Sequence, residues 1–160
     1  MSDAGFADGR DAPLRLRAVD CDDLKVLSAL LQDAVFPITE MRLDRRRRRF
    51  AVLLNRFRWE DRLGAERRGR VYERVQSLLT VEDVLAAATD GIDMADRDTV
   101  LSLLALDFTP GSDGTGRLLL TFAGDGAVAL EVECLDVCLG DVSRPYAAPS
   151  GKAPHHPEAE

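Results

Sequence analysis

The last third of the chain alternates dry and wet residues between turn signals, a pattern that admits little besides an antiparallel sheet. Val100 to Phe108 is an apolar run closed by Pro110-Gly-Ser-Asp-Gly-Thr-Gly116, a strong loop signal. Leu118 to Phe122 and Val128 to Cys134 flank Gly124-Asp125-Gly126, whose Asp-Gly pair favours a tight hairpin turn. Leu130, Val132 and Cys134 alternate with Glu131 and Glu133, which gives one dry face and one wet face. Leu135 to Val142 reads as one further segment of the same sheet.

Upstream the pattern is mixed. Leu14, Leu16 and Ala18 alternate with Arg15, Arg17 and Val19, as in a short strand with one wetter face. Asp20 then offers an N-cap, and Asp22 and Asp23 suit the positive end of a helix dipole. Leu24, Leu27, Leu30, Leu31 and Ala34 follow at helical spacing, so residues 21–34 are expected to form the main helix, and Pro37 forbids its continuation. Ile38 to Leu43 and Phe50 to Phe57 read as a hairpin. Phe50, Val52 and Leu54 share one face of its second strand and Ala51, Leu53 and Phe57 the other, so that strand is expected to be central. Trp59 to Arg70 reads as a charged loop. Val71 to Thr89 fits either period, with Ala86 to Ala88 favouring helix, and Gly91 to Asp98 is a turn-rich connection.

These segments predict one α+β domain over residues 13–143. Its mostly antiparallel sheet of about six to eight strands would curl as a half-barrel or pleckstrin-homology-like roll around the helix near residues 21–34. Residues 1–12 and 144–160 carry too little apolar surface to offset their ordering entropy and are expected to be loose tails.

Charge is distributed very unevenly. Thirteen of the nineteen arginines fall between Arg42 and Arg74, with only five acidic residues among them, so this window carries 13 − 5 = +8 in a chain of net charge −7. The remainder therefore carries −15. The overall acidity argues against a dedicated DNA binder, while a local basic face remains available to an anionic partner. No apolar stretch approaches the ~20 residues that cross a bilayer, so no membrane association is expected. Three cysteines, Cys21, Cys134 and Cys138, lack a disulfide or zinc spacing, which suits a reducing cytoplasm and buried thiols, with no metal and no cofactor expected.

Leu31-Gln-Asp-Ala-Val35, Leu54-Asn-Arg-Phe-Arg-Trp-Glu60, Gly91-Ile-Asp93, Val100-Leu-Ser-Leu-Leu-Ala-Leu-Asp-Phe108 and Leu120 to Cys134 occur in that order across nearly the whole folded unit. In this they resemble a small bacterial family known only as a domain of unknown function. The resemblance brings no established activity and no catalytic residues. It implies a strand before Gly91-Ile92, which tips the reading of residues 71–89 towards strand despite Ala86 to Ala88.

The strongest candidate for function is the run Arg45, Arg46, Arg47, Arg48 and Arg49 beside Phe50, with Asn55, Arg56, Arg58 and Trp59 nearby. On alternate positions of a hairpin these guanidinium groups would face phosphate or carboxylate, with an aromatic ring offering a stacking surface. The bland reading is a solvated tip paired with the acidic remainder. If Phe57 points inward, Arg56 and Arg58 share the opposite face and Trp59 lies near one of them in a cation–π arrangement. These residues suggest a non-enzymatic binding or adaptor module for an acidic protein, an RNA or a phosphorylated ligand, with self-association as a variant. The alternative is an enzyme or small-ligand pocket built from Asn55, Arg56, Trp59 and Glu131 or Glu133. Both histidines, His155 and His156, lie in the expected C-terminal tail, so no Ser-His-Asp or Cys-His arrangement is available. Gly111 to Gly116 is not followed by Lys-Ser/Thr and is no phosphate loop.

Overall fold

A computed structural model describes residues 12–149, 153 and 154. The alternation read from the sequence becomes strand almost everywhere: β1 (Arg15–Ala18), β2 (Val35–Pro37), β3 (Met41–Asp44), β4 (Arg49–Phe57), β5 (Glu73–Val81), β6 (Val84–Asp90), β7 (Val100–Pro110), β8 (Gly116–Phe122), β9 (Ala127–Val132), β10 (Val137–Asp141) and β11 (Tyr146–Ala147). Among the described residues two α-helices accompany them, α1 (Cys21–Leu31) and α2 (Arg62–Arg68). All pairings are antiparallel, and the strands form one open sheet in the order β1-β10-β5-β4-β2-β7-β8-β9-β6, with β3 on β4 and β11 on β5. The eleven strands among the described residues exceed the six to eight expected, because four are four residues or fewer and residues 71–89 hold two strands rather than one.

The helix α1 starts as its sequence dictates. The Asp20 carboxylate accepts a hydrogen bond from the Asp23 amide at 2.8 Å, and Leu24, Leu27 and Leu31 are buried. It ends at Leu31 instead of residue 34. Asp33 takes a left-handed φ of 66° and donates its amide to the Leu103 carbonyl at 2.7 Å, which turns Val35 into the sheet. The stretch expected as a charged loop after Trp59 holds a 3-10 turn (Trp59–Asp61) and then α2, closed by Gly69 at φ 64°. Ala86 to Ala88 lie within β6, so their helix propensity yields to pairing with β9.

Continuity of the sheet depends on β7 serving two neighbours. Val100 to Ser102 pair with β2, while Leu103 to Pro110 pair with β8 across a register shift near Leu103. At the opposite corner Asp83, at φ 56°, turns the chain out of β5 into β6, which pairs only with β9. The β8–β9 hairpin turns on Gly124 and Asp125, at φ 84° and 68°. One hydrophobic core draws on both halves, including Phe50, Val52 and Leu54 of β4, Leu118, Leu120 and Phe122 of β8, and the leucines of α1. As expected, β4 is central, flanked by β5 on one side and by β2 and β3 on the other. Paired structure continues past residue 143, since Tyr146 and Ala147 bond to β5 and Ala148 is buried. The expectations for residues 1–11, 150–152 and 155–160, the histidines included, lie outside the described residues.

Candidate functional site

The nine candidate residues sit at opposite ends of β4. At one end, Arg45 to Arg48 form the turn between β3 and β4, so the run does not alternate along a strand. The Asp44 carboxylate shapes this turn by accepting from the Arg47 amide at 3.1 Å, and Arg48 takes φ 54°. Arg45, Arg46 and Arg47 are exposed. Arg48 bonds Glu133 at 2.8 Å and lies 3.4 Å from Asp83, while Arg49 bonds Glu82. Hydrogen bonds to Glu133 and Glu82, respectively, push the pKa values of these two guanidinium groups up. Counting Arg42 and Arg45 to Arg49 against Asp44, Glu82, Asp83 and Glu133 leaves 6 − 4 = +2 at the tip. Phe50 points into the core and is 4% exposed, so the expected stacking surface beside the run does not form.

At the other end the arginines are inside. Arg56 continues the core-facing row of Phe50, Val52 and Leu54 and is fully buried. It donates to Glu60 through both terminal nitrogens at 2.8 Å and to Asp141 at 3.1 and 3.0 Å, with the Ser77 hydroxyl also at 3.1 Å. Ser77 in turn donates to Asp141 at 2.7 Å, and the Leu14 amide donates to the same carboxylate at 2.9 Å. Burial lowers the Arg56 pKa, but the bonds to Glu60 and Asp141 outweigh it and the net shift is upward. Asp141 mirrors this: burial raises its pKa, and Arg56, Ser77 and the Leu14 amide bring it below the ordinary carboxylate range. The network runs on through Arg58, 3.9 Å from Glu60, 3.7 Å from Asp61 and 2.5 Å from Glu73, to Arg70, which bonds Asp61 at 3.0 and 3.1 Å.

Asn55 lies in this region on the outer face, accepting from the Tyr146 hydroxyl at 2.8 Å and, through its carbonyl, from Arg74 at 3.2 Å. Trp59 donates its indole N–H to the Gln32 carbonyl at 2.9 Å and packs edge-on to Phe57. The guanidinium over its ring belongs to Arg62, 5.9 Å away, rather than to Arg56 or Arg58. Glu131 and Glu133 do not converge on this cluster: Glu131 pairs with Arg117, and Glu133 with Arg48 at the far tip, roughly 25 Å along the strand from Arg56. The pocket of Asn55, Arg56, Trp59 and Glu131 or Glu133 is therefore absent among the described residues. The cysteines are also not the buried hydrophobes expected. All are free, Cys21 and Cys134 are exposed and Cys138 is half-buried, because β9 ends at Val132 and leaves the Cys134 thiol against Asp83 at 3.1 Å. Hydrogen bonding to that carboxylate pushes the Cys134 pKa up, which is unfavourable for a reactive thiolate.

Residues 14–156 match the model of a family described as a protein of unknown function (DUF2948). The chain belongs to this family. No curated protein and no solved structure matches it. Membership of DUF2948 covers the whole described sheet and assigns neither tip nor network a role. Glu60 belongs to the polar cluster that the sequence suggests around Arg56, whereas sequence reasoning missed Ser77 and Asp141, although each interrupts an apolar alternation: Val75-x-Ser77-x-Leu79 and Val137-x-Leu139-x-Asp141. Among the described residues no helix is long and apolar enough to cross a membrane.

Proposed function

We propose that the chain is a non-enzymatic binding or adaptor module that takes an acidic segment of a partner protein at the β3–β4 tip. The observation that carries this is that Arg42, Arg45 and Arg46 are exposed there with no carboxylate of the described residues within ion-pair distance, while their neighbours Arg48 and Arg49 are already paired. Among the described residues Arg42 is held through a bond to the Thr39 carbonyl at 2.7 Å, which leaves its remaining donors for a ligand. A carboxylate-bearing protein segment suits this surface better than RNA. Phe50 faces the core and Trp59 lies at the far end of β4, so neither ring stands beside the guanidinium groups to stack a base. An enzymatic reading loses its support with the dispersal of Asn55, Arg56, Trp59 and the two glutamates. A sheet rolled as a half-barrel around α1 would hold the tip rigidly, and free, exposed thiols fit work in a reducing cytoplasm.

The test is binding of an acetylated, amidated octapeptide alternating Glu and Val, followed by fluorescence polarisation. The wild-type protein should bind it at least tenfold more weakly at 300 mM than at 50 mM salt, because exposed contacts are screened. Replacing Arg42, Arg45 and Arg46 together by Ser should abolish binding. Binding indifferent to salt and to these substitutions, or tighter binding of a single-stranded RNA decamer, would overturn the reading.

A further inference from the structure

The tip borders a seam in the sheet. Among the described residues strand β3 pairs only with β4, and β6 pairs only with β9, so each has one edge that no described strand covers. These two open edges flank one groove. A hollow of about 270 Å3 is lined by Met41 and Leu43 of β3 and by Ala87 and Ala88 of β6, with the core residues Phe50 and Val128 beneath. A second hollow of about 130 Å3 continues it towards the tip, sharing Leu43 and bounded by Arg45, Arg48 and Leu85. One backbone hydrogen bond, from the Val84 amide to the Arg48 carbonyl at 2.8 Å, ties β6 to the tip where the two edges meet.

Along β3 the chain runs towards the tip, and along β6 it runs away, so the two edges are antiparallel across the groove. Each antiparallel strand directs alternate N–H and C=O groups away from its partner, here into the seam. Natural sheets blunt such edges with charge, proline or a covering element. In β6, Val84 to Thr89 carry neither charge nor proline. Leu85 is 53% exposed, and Met94, which lines the larger hollow, is 45% exposed. The alanine side chains leave room above the groove floor. Arg42 and Arg45 line the rim and have no carboxylate partner among the described residues.

We infer that this seam accepts an extended segment of a partner protein as an added strand, with alternate apolar and acidic side chains. This rests on the acidic-partner reading above and deepens it. The apolar side chains would point down towards Phe50 and Val128, and the carboxylates up to Arg42 and Arg45. Main-chain hydrogen bonds to the open edges supply affinity, while the arginine rim selects the acidic sequence. Two-residue spacing along a strand sets the recognised pattern, and the seven residues of β6 set its length at about five to seven.

Peptide backbone chemistry separates this inference from simple charge attraction. The Glu–Val octapeptide is compared with two versions N-methylated at alternate residues, which keep every charge and side chain but each lose one edge of donors. Strand addition predicts at least tenfold weaker binding for both, together with slowed amide exchange in β3 and β6 when the unmodified peptide binds. Ala88→Met, which fills the hollow without altering charge, should weaken binding similarly with an unchanged melting temperature. If the methylated peptides bind as well as the parent and binding still needs the arginines, strand addition is wrong and the acidic-partner reading stands. No binding of any peptide at low salt overturns both. A concentration-dependent dimer that the peptide does not dissolve assigns the seam to self-association and likewise overturns the inference.

Discussion

Strand β4 carries arginine at both ends, and the two ends treat it in opposite ways. At the Arg56 end the guanidinium group is withdrawn from water, held by two carboxylates and a hydroxyl, and continues a row of core side chains. At the Arg45–Arg49 end the same residue type stands in solvent, in part paired with the β5–β6 corner and Glu133, in part unpaired. The difference teaches that arginine density alone does not define a basic face. What decides is whether polar groups from distant segments arrive: the Asp141 carboxylate and the Ser77 hydroxyl are brought to Arg56 by β10 and β5, whereas none of the described residues does the same for Arg45 or Arg46. One end serves the fold, and the other leaves guanidinium groups in solvent.

The sharpest way to break this comparison is to remove Arg56. Arg56→Met leaves Asp141 buried beside Ser77 without a cation, and losing one member of a buried pair costs about 3–5 kcal/mol. Urea titration should show that loss as a fall in midpoint with little change in slope. Adding Asp141→Leu and Ser77→Ala to the same chain should recover most of it, since an apolar replacement removes the uncompensated charge. Stability unchanged in the single variant would mean that the network contributes nothing to the fold.

Acid should discriminate between the ends next. Asp141 has its folded-state pKa lowered, net of burial, by Arg56, Ser77 and the Leu14 amide, and Asp61 is lowered by Arg70 and Arg58 against its own burial. A carboxylate whose folded pKa lies below its unfolded value of ~3.9 contributes stability that is fully present above that value and is lost as pH falls through the folded pKa. Unfolding free energy should therefore hold steady from pH 7 to 5 and decline below about pH 4. In Asp141→Asn the decline should be shallower, from a lower plateau. An acid limb of identical steepness in the variant would show that Asp141 is not a source of it.

Much of the sheet was legible because alternation is a local property. The β8–β9 hairpin, the core face of β4 and the start of α1 all follow from residues within a few positions of each other. The end of α1 was not, because Asp33 leaves the helix to meet Leu103, seventy residues away. The same limit applies to the arginines. Their partners come from distant parts of the chain, Asp141 from β10 and Glu82, Asp83 and Glu133 from the turns that follow β5 and β9, so a window charge of +8 could not reveal which members were neutralised. A weaker signal was present: Arg56, Ser77 and Asp141 each place a polar residue where an apolar alternation calls for a dry one. Three such breaks in strands that turn out to be neighbours mark a buried polar ladder.

The smallest expected effect sharpens the comparison from the solvent side. Arg45, Arg46 and Arg47 are exposed, and among the described residues only Arg47 of the three has a carboxylate near, Asp44 at 3.9 Å. Replacing all three by Ser should move the melting temperature by no more than about 2 °C, as befits solvated positions. Arg49→Ala should lower it slightly at 20 mM salt and not at all at 500 mM, because its bond to Glu82 is exposed and therefore screened. If the triple Ser variant instead loses stability comparable to Arg56→Met, the tip is a structural element like the opposite end of β4. Its arginines would then be unavailable to any partner, since residues that hold the fold cannot also be left open to solvent for exchange.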